Sequence, residues 1–303
     1  MPKISAVVSA YNEEKNIDRC LRSLKFVDEI IFVDNQSVDN TFKIAKKYTD
    51  KVYSQKNDPQ NIDIQKNFGF DKVSNDWILS LDADEEVSSE LAEEIKSVIK
   101  NSKDASGYWI PRKNFMFGKW ISENTGWYPD YQLRLFKKGK GKYESKHVHE
   151  DLKLGGHTEK LSSYIIHHNY ESIAQFVNKI MIYAPNEAEE YIKNGYKFSY
   201  YDAIRFPVDD FLKWFFSRKG YKDGFHGLML SFLMAFYHFL VFAFIWEKKG
   251  FVERNGENFL SEVEDEFKRN GRDINYWIRK EKLENIKNPF KKNIEKIRGK
   301  IKI

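Results

Sequence analysis

The sequence predicts an α/β fold, in which a mostly parallel sheet is covered by helices on both faces, followed by a helical region. Two observations lead to this prediction. Apolar runs rich in β-branched residues alternate with segments of helical periodicity over residues 3–82, and polar loops follow three of these runs. Alternation of this kind is typical of parallel sheets with helices on both faces.

The elements follow one another in a regular order. Predicted strands comprise residues 3–9, 28–33, 51–53 and 77–81. Between them, helical spacing predicts a helix carrying Ile17, Leu21 and Leu24, a second helix through residues 41–48, and a third near residues 61–73. The order strand, loop, helix therefore repeats through this part of the chain.

An acidic cluster, residues 82–86, directly follows the fourth predicted strand. Carboxylates at this spacing repel one another unless a cation balances them, and the hard cations Mg²⁺ and Mn²⁺ prefer oxygen ligands. Mg²⁺ commonly uses one or two protein carboxylates together with the phosphates of a substrate. The alternative interpretation is an acidic helix start that is capped by Ser88 or Ser89.

Three polar loops decide between these interpretations. They are residues 11–13, 34–37 and 82–85, and each follows a predicted strand. Because ligands of parallel sheets bind outside the carboxyl ends of the strands, the three loops predict a shared nucleotide site.

Composition limits the classes of function. The chain has 303 residues, 41% of them hydrophobic, and 50 basic residues against 45 acidic ones. This mild excess of positive charge favours anionic ligands or an anionic surface, but it does not indicate nucleic-acid binding. The single cysteine, Cys20, allows no intramolecular disulfide and favours a reducing compartment. The first strand follows Met1 without a hydrophobic leader, so we expect a cytoplasmic catalytic part.

Several motifs resemble those of the inverting family 2 glycosyltransferases, which have the GT-A fold, a Rossmann-like sheet. They are VVSAYNE at residues 7–13, FVDNQS at 32–37, DNT at 39–41, QKN at 65–67 and LDAD at 81–84. The segments at residues 127–130, 131–136 and 148–150 are similar to a subgroup that includes lipopolysaccharide-core glucosyltransferases. The resemblance implies a nucleotide-sugar donor, expected to be UDP-linked, and a Mg²⁺ or Mn²⁺ ion.

The resemblance also implies donor-binding residues. These are Ala10, Tyr11, Glu13, Asp34, Lys66 and Asp82. The residues leave simpler interpretations open: an Asx-turn for Asp34, a helix cap for Glu13, and a solvated helix face for Lys66. For the metal we expect Asp84 as the direct ligand, with Asp82 and His149 beside it.

Transfer of the sugar also requires one group that acts on the departing phosphate and another that acts on the acceptor hydroxyl. A cation near the departing phosphate stabilises its negative charge, and Arg134 is the candidate, with an exposed surface cation as the alternative. Strand alternation places Arg134 and Gln132 on one face of the predicted strand and Leu133 and Leu135 on the other face. A base must take the proton of the acceptor hydroxyl, and both Glu150 and Asp151 are candidates. A zinc site built from the histidines between residues 147 and 168 is disfavoured, because it lacks a closed Cys/His pattern.

The C-terminal part is expected to associate with a membrane. We predict a catalytic core at residues 1–170, a helical region at 171–255 and a charged helical tail at 256–303. Residues 227–246 carry no formal charge and are long enough to span a bilayer. Three interpretations remain: a helix in the membrane interface or re-entrant, a spanning helix, or a buried core or dimer helix.

Taken together, the residues and the resemblance predict a glycosyltransferase that moves a hexose to a lipid-linked or lipopolysaccharide-type glycan acceptor, and the resemblance implies that it inverts the anomeric carbon. We expect it to be peripherally bound to the cytoplasmic face of the cell membrane, without a nucleic-acid partner; the sequence does not define an oligomeric state. Two alternatives are a nucleotidyltransferase-like enzyme and a non-catalytic membrane adaptor that retains the fold. The first usually needs a glycine-rich triphosphate loop, and none follows the first strand.

Overall fold

A computed structural model describes residues 2–58, 63–102, 104–121, 126–144, 152–254, 256–291 and 293–294. The chain forms two compact units. Unit 1 comprises Met1–Glu123 and Trp127–Glu171, and unit 2 comprises Asn124–Gly126 and Ser172–Ile303. Each unit is described separately below.

The N-terminal half of the unit 1 sheet is parallel, as predicted. Its strands are β1 (Ile4–Ala10), β2 (Glu29–Asp34), β3 (Val52–Ser54) and β4 (Trp77–Asp82). β1 lies between β2 and β4, and β3 pairs with the outer edge of β2. The predicted strands are confirmed to within one or two residues at each end.

The second half of the sheet mixes parallel and antiparallel pairs. Its strands are β5 (Glu85–Val87), β6 (Ala105–Met116), β7 (Lys119–Trp120), β8 (Asp130–Lys137), β11 (His157–Lys160) and β12 (Ile165–Tyr170), and a separate hairpin joins β9 (Gly141–Lys142) to β10 (Lys153–Leu154). The order across the sheet is β3-β2-β1-β4-β8-β6-β12-β5, with β7 and β11 also paired to β6. The three strands that precede the predicted polar loops, β2, β1 and β4, therefore lie next to one another in the sheet.

Helices cover both faces of this sheet, which confirms the predicted fold class. They are α1 (Ile17–Ser23), α2 (Thr41–Ala45), α3 (Gln65–Phe70) and α4 (Ser89–Asn101). Along β4, Leu79 and Leu81 pack on one face with Leu91 of α4, while Ile78 packs on the other with Phe70 of α3. The side chain of Ser88 accepts the backbone N–H of Leu91 at 3.2 Å, so the predicted cap of α4 is confirmed.

The predicted alternation along β8 is wrong at one position. Tyr108 and Trp109 of β6 pair with Leu135 and Leu133, so the register shifts there and Arg134 is the extra residue of a β-bulge. Leu133 and Leu135 therefore pack into opposite hydrophobic clusters instead of sharing a face. Sequence periodicity assumes an unbroken ladder and does not reveal a bulge.

Unit 2 is helical. Its helices are α5 (Ile173–Lys193), α6 (Asp202–Leu212), α7 (Phe225–Lys248) and α8 (Phe259–Asn285). A π-helical turn at Lys213–Ser217 and a 3₁₀ turn at Gly220–Asp223 connect α6 to α7. Among the described residues, α7 is the one helix with the length and apolar composition to cross a membrane, and 33% of its most apolar window is buried within the protein.

Candidate nucleotide-sugar site

The carboxyl ends of the four parallel strands lie level with one another. Ala10, the last residue of β1, pairs with Asp34, the last residue of β2, and Asp34 pairs with Ser54 of β3. On the other side of β1, Ser9 pairs with Asp82, the last residue of β4. The three polar loops predicted to share a site therefore leave the sheet at the same edge.

The loops after β1 and β2 are joined by hydrogen bonds. The backbone N–H of Asn12 donates to Ser37 Oγ at 3.0 Å, and the N–H of Val38 donates to Asn12 Oδ1 at 2.9 Å. The N–H of Glu13 donates to Thr41 Oγ1 at 2.7 Å. Because each loop supplies donors and acceptors to the other, the pair forms one rigid edge. Tyr11 remains 43% exposed on this edge.

Asp34 is buried at the end of β2 and closes a turn onto the residue three positions on, whereas the Asx-turn of the alternative interpretation is closed by the residue two positions on. Both of its carboxylate oxygens accept the backbone N–H of Ser37, at 3.2 and 3.3 Å. An ionised carboxylate can accept about four hydrogen bonds, so this turn and a contact to a ribose are compatible. Ala10 is also buried, and its carbonyl accepts the N–H of Asn35 at 2.9 Å. The donor-binding roles of Ala10 and Asp34 stay predictions.

Helix α3 directs its first residues into the protein. Gln65 and Lys66 are buried, so the alternative of a solvated helix face is wrong for both. The Lys66 ammonium lies 2.9 Å from Asp63 and 2.6 Å from Asp82. A Cβ added to Gly69 would lie 2.5 Å from Val7 Cγ1, so the glycine permits the close approach of α3 to β1.

Asn67, the third residue of α3, holds a distant segment. Its amide donates to the carbonyl of Tyr143 at 2.9 Å and accepts the N–H of Tyr143 at 3.0 Å. Tyr143 and Leu152 are both buried in the cluster that also contains Phe70. The chain is therefore fixed on both sides of residues 145–151.

Opposite charges alternate across the sheet at the acidic loop. Arg134 of β8 contacts both Asp82 and Glu85, with 2.7 Å to the latter. Arg112 of β6 lies 3.1 Å from Glu85 and 2.6 Å from Asp130. We call these six groups the charge ladder: Lys66, Asp82, Arg134, Glu85, Arg112 and Asp130.

Burial and charge act in opposite directions on the pKa values in this ladder. Burial disfavours the ionised form of Asp82, but the charges of Arg134 and Lys66 outweigh it and hold the pKa of Asp82 well below its ordinary value. Burial likewise opposes the charged form of Lys66, and the carboxylate of Asp82 raises the pKa of Lys66 above its usual range. Both Asp82 and Lys66 are therefore charged at neutral pH.

Arg134 is 4% exposed, so the alternative of an exposed surface cation is wrong. As the extra residue of the bulge, its side chain departs from the alternation of β8 and turns to the end of β4. The contact of Arg134 with a departing phosphate stays a prediction, because the structure pairs its guanidinium with the carboxylates of Asp82 and Glu85.

Asp84 faces a histidine that the sequence did not single out as a ligand. Asp84 Oδ2 lies 3.5 Å from Nε2 of His167, and both side chains are largely buried. His167 and its neighbour His168 lie within β12. This strand pairs with β6 and β5 and so carries His167 to the acidic loop.

The hydrogen bonds of Asn114 determine which nitrogen of His167 carries the proton. The Asn114 amide group donates to the carbonyl of Trp127 at 2.8 Å and to Asp130 at 3.3 Å, so its oxygen faces His167 Nδ1, 2.6 Å away. Nδ1 must therefore donate, and in the neutral ring Nε2 presents a lone pair to Asp84. Neighbouring ligands about 2.1 Å from one octahedral ion lie about 3.0 Å apart. Asp84 Oδ2 and His167 Nε2, at 3.5 Å, are about 0.5 Å beyond this separation, so a small closing movement would let both atoms contact one divalent metal.

The pair of Asp84 and His167 would supply two protein ligands to a metal ion. Within the described ranges, no group of three or more His, Cys, Asp or Glu side chains is arranged to hold a metal ion. A hard cation that is completed by substrate phosphates needs only one or two such ligands. His149, Glu150 and Asp151 lie outside the described residues, so their predicted roles stay predictions.

Sequence reasoning missed Arg112, Asn114, Asp130 and His167. Each lies on β6, β8 or β12, far along the chain from the acidic loop it supports. Of these four, only Arg112 gives a signal in the local sequence, because a charged side chain inside a buried strand needs an oppositely charged partner.

Comparison with known proteins identifies the family of the chain. The family model for Glycosyl transferase family 2 matches residues 5–151. A Rickettsia typhi protein, named as an uncharacterized glycosyltransferase, is 32% identical over 252 residues, which cover 79% of this chain and 85% of the relative. The chain belongs to glycosyl transferase family 2. It is therefore a glycosyltransferase, as predicted, and the nucleotidyltransferase alternative is not supported.

Two further relatives are more distant. The lipopolysaccharide core biosynthesis glycosyltransferase LpsC of Rhizobium meliloti is 27% identical over 270 residues, covering 86% of this chain and 99% of the relative. Among solved structures, S. aureus TarS 1–349 in complex with UDP-GlcNAc aligns with 14% identity and a TM-score of 0.45 over 82% of this chain and 92% of that chain.

Proposed function

We propose that this family 2 enzyme is an inverting, metal-dependent hexosyltransferase with a UDP-linked donor and a lipid-linked or lipopolysaccharide-type glycan acceptor. The observation that carries the proposal is the pair formed by Asp84 and His167 at the end of β4, beside an Asp82 that is already neutralised. The acceptor class is supported by the likeness to LpsC. We place the enzyme peripherally on the cytoplasmic face of the membrane, where an acceptor of this class would lie.

The two aspartates of the acidic loop take different roles in this proposal. Asp84 and Nε2 of His167 would hold Mg²⁺ or Mn²⁺, and His149 is a further candidate ligand. When bound, the ion neutralises the charge of the donor diphosphate. Asp82, whose carboxylate is paired with Lys66 and Arg134, accepts a hydrogen bond from the ribose.

The remaining donor contacts come from the rigid edge after β1 and β2. Tyr11 is exposed there and stacks on the base, while Asp34 accepts hydrogen bonds from the base or the ribose. Glu13 and Ala10 complete this side of the donor. Lys66 and Arg134 add positive charge near the departing phosphate, and their partners fix the position of that charge before the donor binds.

The acceptor hydroxyl loses its proton to a carboxylate, and we propose Glu150 for this role, with Asp151 as the alternative. Inversion at the anomeric carbon requires this base on the side opposite the leaving group. Support comes from the flanks of the segment, because Tyr143 and Leu152 are both anchored in one hydrophobic cluster.

The test measures UDP binding and sugar transfer with and without Mn²⁺. We expect Asp84→Asn to abolish the Mn²⁺-dependent part of UDP binding and to lower transfer by about 10²–10³-fold, as the loss of a transition-state charge contact does. The control, Asp71→Asn, removes an exposed carboxylate at the end of α3 and should bind UDP normally. In the same assay, Glu150→Gln and Asp151→Asn are compared to identify the base. Full activity of Asp84→Asn would reject the proposed metal site.

A further inference from the structure

One face of α7 is an exposed apolar stripe. Its members recur every three or four residues, with one longer gap, and therefore lie along one side of the helix. We call them the outer stripe: Phe225, Met229, Phe232, Phe236, Phe239 and Trp246, which are between 37% and 73% exposed. Soluble proteins rarely expose so much contiguous apolar surface without a partner.

The opposite face of α7 is buried within unit 2. Val241 and Ile245 are fully buried and pack with Ala184 and Ala188 of α5. α7 is therefore embedded along one side in other helices of its own unit. If it crossed a bilayer, α5 would be drawn into the hydrocarbon with it.

A charged cluster at the middle of α7 makes such a crossing costly. His238 Nδ1 lies 2.8 Å from Asp210 of α6, and its Nε2 lies 3.5 Å from Glu187 of α5. Tyr237 donates a hydrogen bond to the same glutamate. Ionisable groups at the centre of a bilayer cost several kcal/mol each, and α5 also carries the exposed pair Glu189 and Lys193.

Basic residues lie beyond both ends of the outer stripe. Residues 213–226 contain four basic side chains and one acid, and Glu247, Lys248 and Lys249 follow at the other end, where Lys248 lies 3.7 Å from Glu189. Among the residues that the structure describes, neither Lys219 nor Lys222 has a carboxylate within ion-pair distance. An apolar, aromatic stripe with cations at its ends complements a surface of anionic head groups over acyl chains.

We infer that the outer stripe binds an anionic lipid bilayer with α7 lying in the plane of the interface. The Phe side chains enter the boundary between head groups and acyl chains, while Val241, Ile245 and the charged cluster stay inside the protein. A partly apolar surface of this kind gives reversible attachment. The inference rests on the proposed membrane location, but it is independent of the donor and metal assignments.

Sedimentation with lipid vesicles tests this inference. We expect the full chain to bind vesicles containing phosphatidylglycerol, and to bind vesicles of phosphatidylcholine alone at least about tenfold more weakly, because several cations face the surface. Phe236→Glu should weaken binding to the anionic vesicles by about tenfold or more. The matched control is Phe42→Glu in unit 1, where the side chain is 39% exposed, against 44% for Phe236, and binding should not change.

Three outcomes would overturn the inference. The first is equal vesicle binding by Phe236→Glu and the wild type. The second is retention of the protein in cell membranes after an alkaline carbonate wash, which indicates a spanning helix. The third is a dimer that Phe236→Glu dissociates in sedimentation velocity, without vesicle binding, which shows that a second copy covers the stripe. UDP binding by Phe236→Glu is measured in parallel, so that an error in the membrane-binding inference can be distinguished from an error in the donor-site assignment.

Discussion

Two buried charge clusters, one in each unit, are built differently. The charge ladder of unit 1 consists of arginines, a lysine and carboxylates, and two of its carboxylates, Asp82 and Asp130, are partly exposed. The cluster of unit 2 joins His238 to Asp210 and Glu187 on the inward side of α7. In the first cluster, Asp82 and Lys66 hold each other in their charged forms, and the cluster lies at the end of the strands where the polar loops leave the sheet. The second depends on a titratable imidazole that is held between α5, α6 and α7, with Glu187 30% exposed.

This difference indicates different roles. A buried ion pair is rarely the most stable way to fill a protein interior, so its retention calls for another reason. In unit 1 that reason is a fixed arrangement of charge at the donor site. In unit 2 the cluster joins α5, α6 and α7, and we assign it to packing.

Removal of Arg134 should give the largest loss of stability. Arg134→Met leaves Asp82 and Glu85 without their shared cation in a buried site, so we expect the free energy of unfolding to fall by about 3–5 kcal/mol. Urea unfolding of the variant measures this loss. The control, Lys96→Met, removes a lysine from an exposed ion pair with Glu93 and should cost less than about 1 kcal/mol. Equal losses in the two variants would show that the ladder has no structural role.

The cluster of unit 2 should make stability depend on pH. Burial opposes the charge on His238, but the adjacent carboxylates of Asp210 and Glu187 outweigh this and raise its pKa to about 9. A raised pKa stabilises the folded state fully below the unfolded pKa of about 6.5, and this stabilisation is lost as the pH rises through about 9.

The expected loss between these two pH values is on the order of 3 kcal/mol, because each unit of pKa shift corresponds to about 1.4 kcal/mol. The measurement is urea unfolding of the wild type and of His238→Gln at several pH values. The difference between the two proteins should shrink with rising pH. A difference that stays constant from pH 6 to pH 10 would contradict the assigned charge on His238.

The sequence allowed prediction of the parallel half of the fold, because its signals are local. β1, β2 and β4 are apolar runs that end in polar loops, and the order of strand and helix limits how they can pair. The same reasoning placed Asp34 and Asp82 at one edge, which the register confirms.

The supporting residues could not be predicted in this way. Arg134 turns to the acidic loop because of a bulge, and His167 faces Asp84 because β12 pairs with strands more than fifty residues away in sequence. Its tautomer depends on Asn114, which Trp127 and Asp130 orient in turn. Such contacts follow from long-range pairing, which periodicity and motif spacing do not encode.

Anomalous diffraction at the manganese edge, from crystals grown with UDP and Mn²⁺, tests the central claim most directly. The account predicts one strong peak within coordination distance of Asp84 Oδ2 and His167 Nε2, while Asp82 keeps its contacts with Lys66 and Arg134. A bound UDP with no manganese peak at this pair, or a manganese ion held elsewhere with His167 turned away, would contradict it.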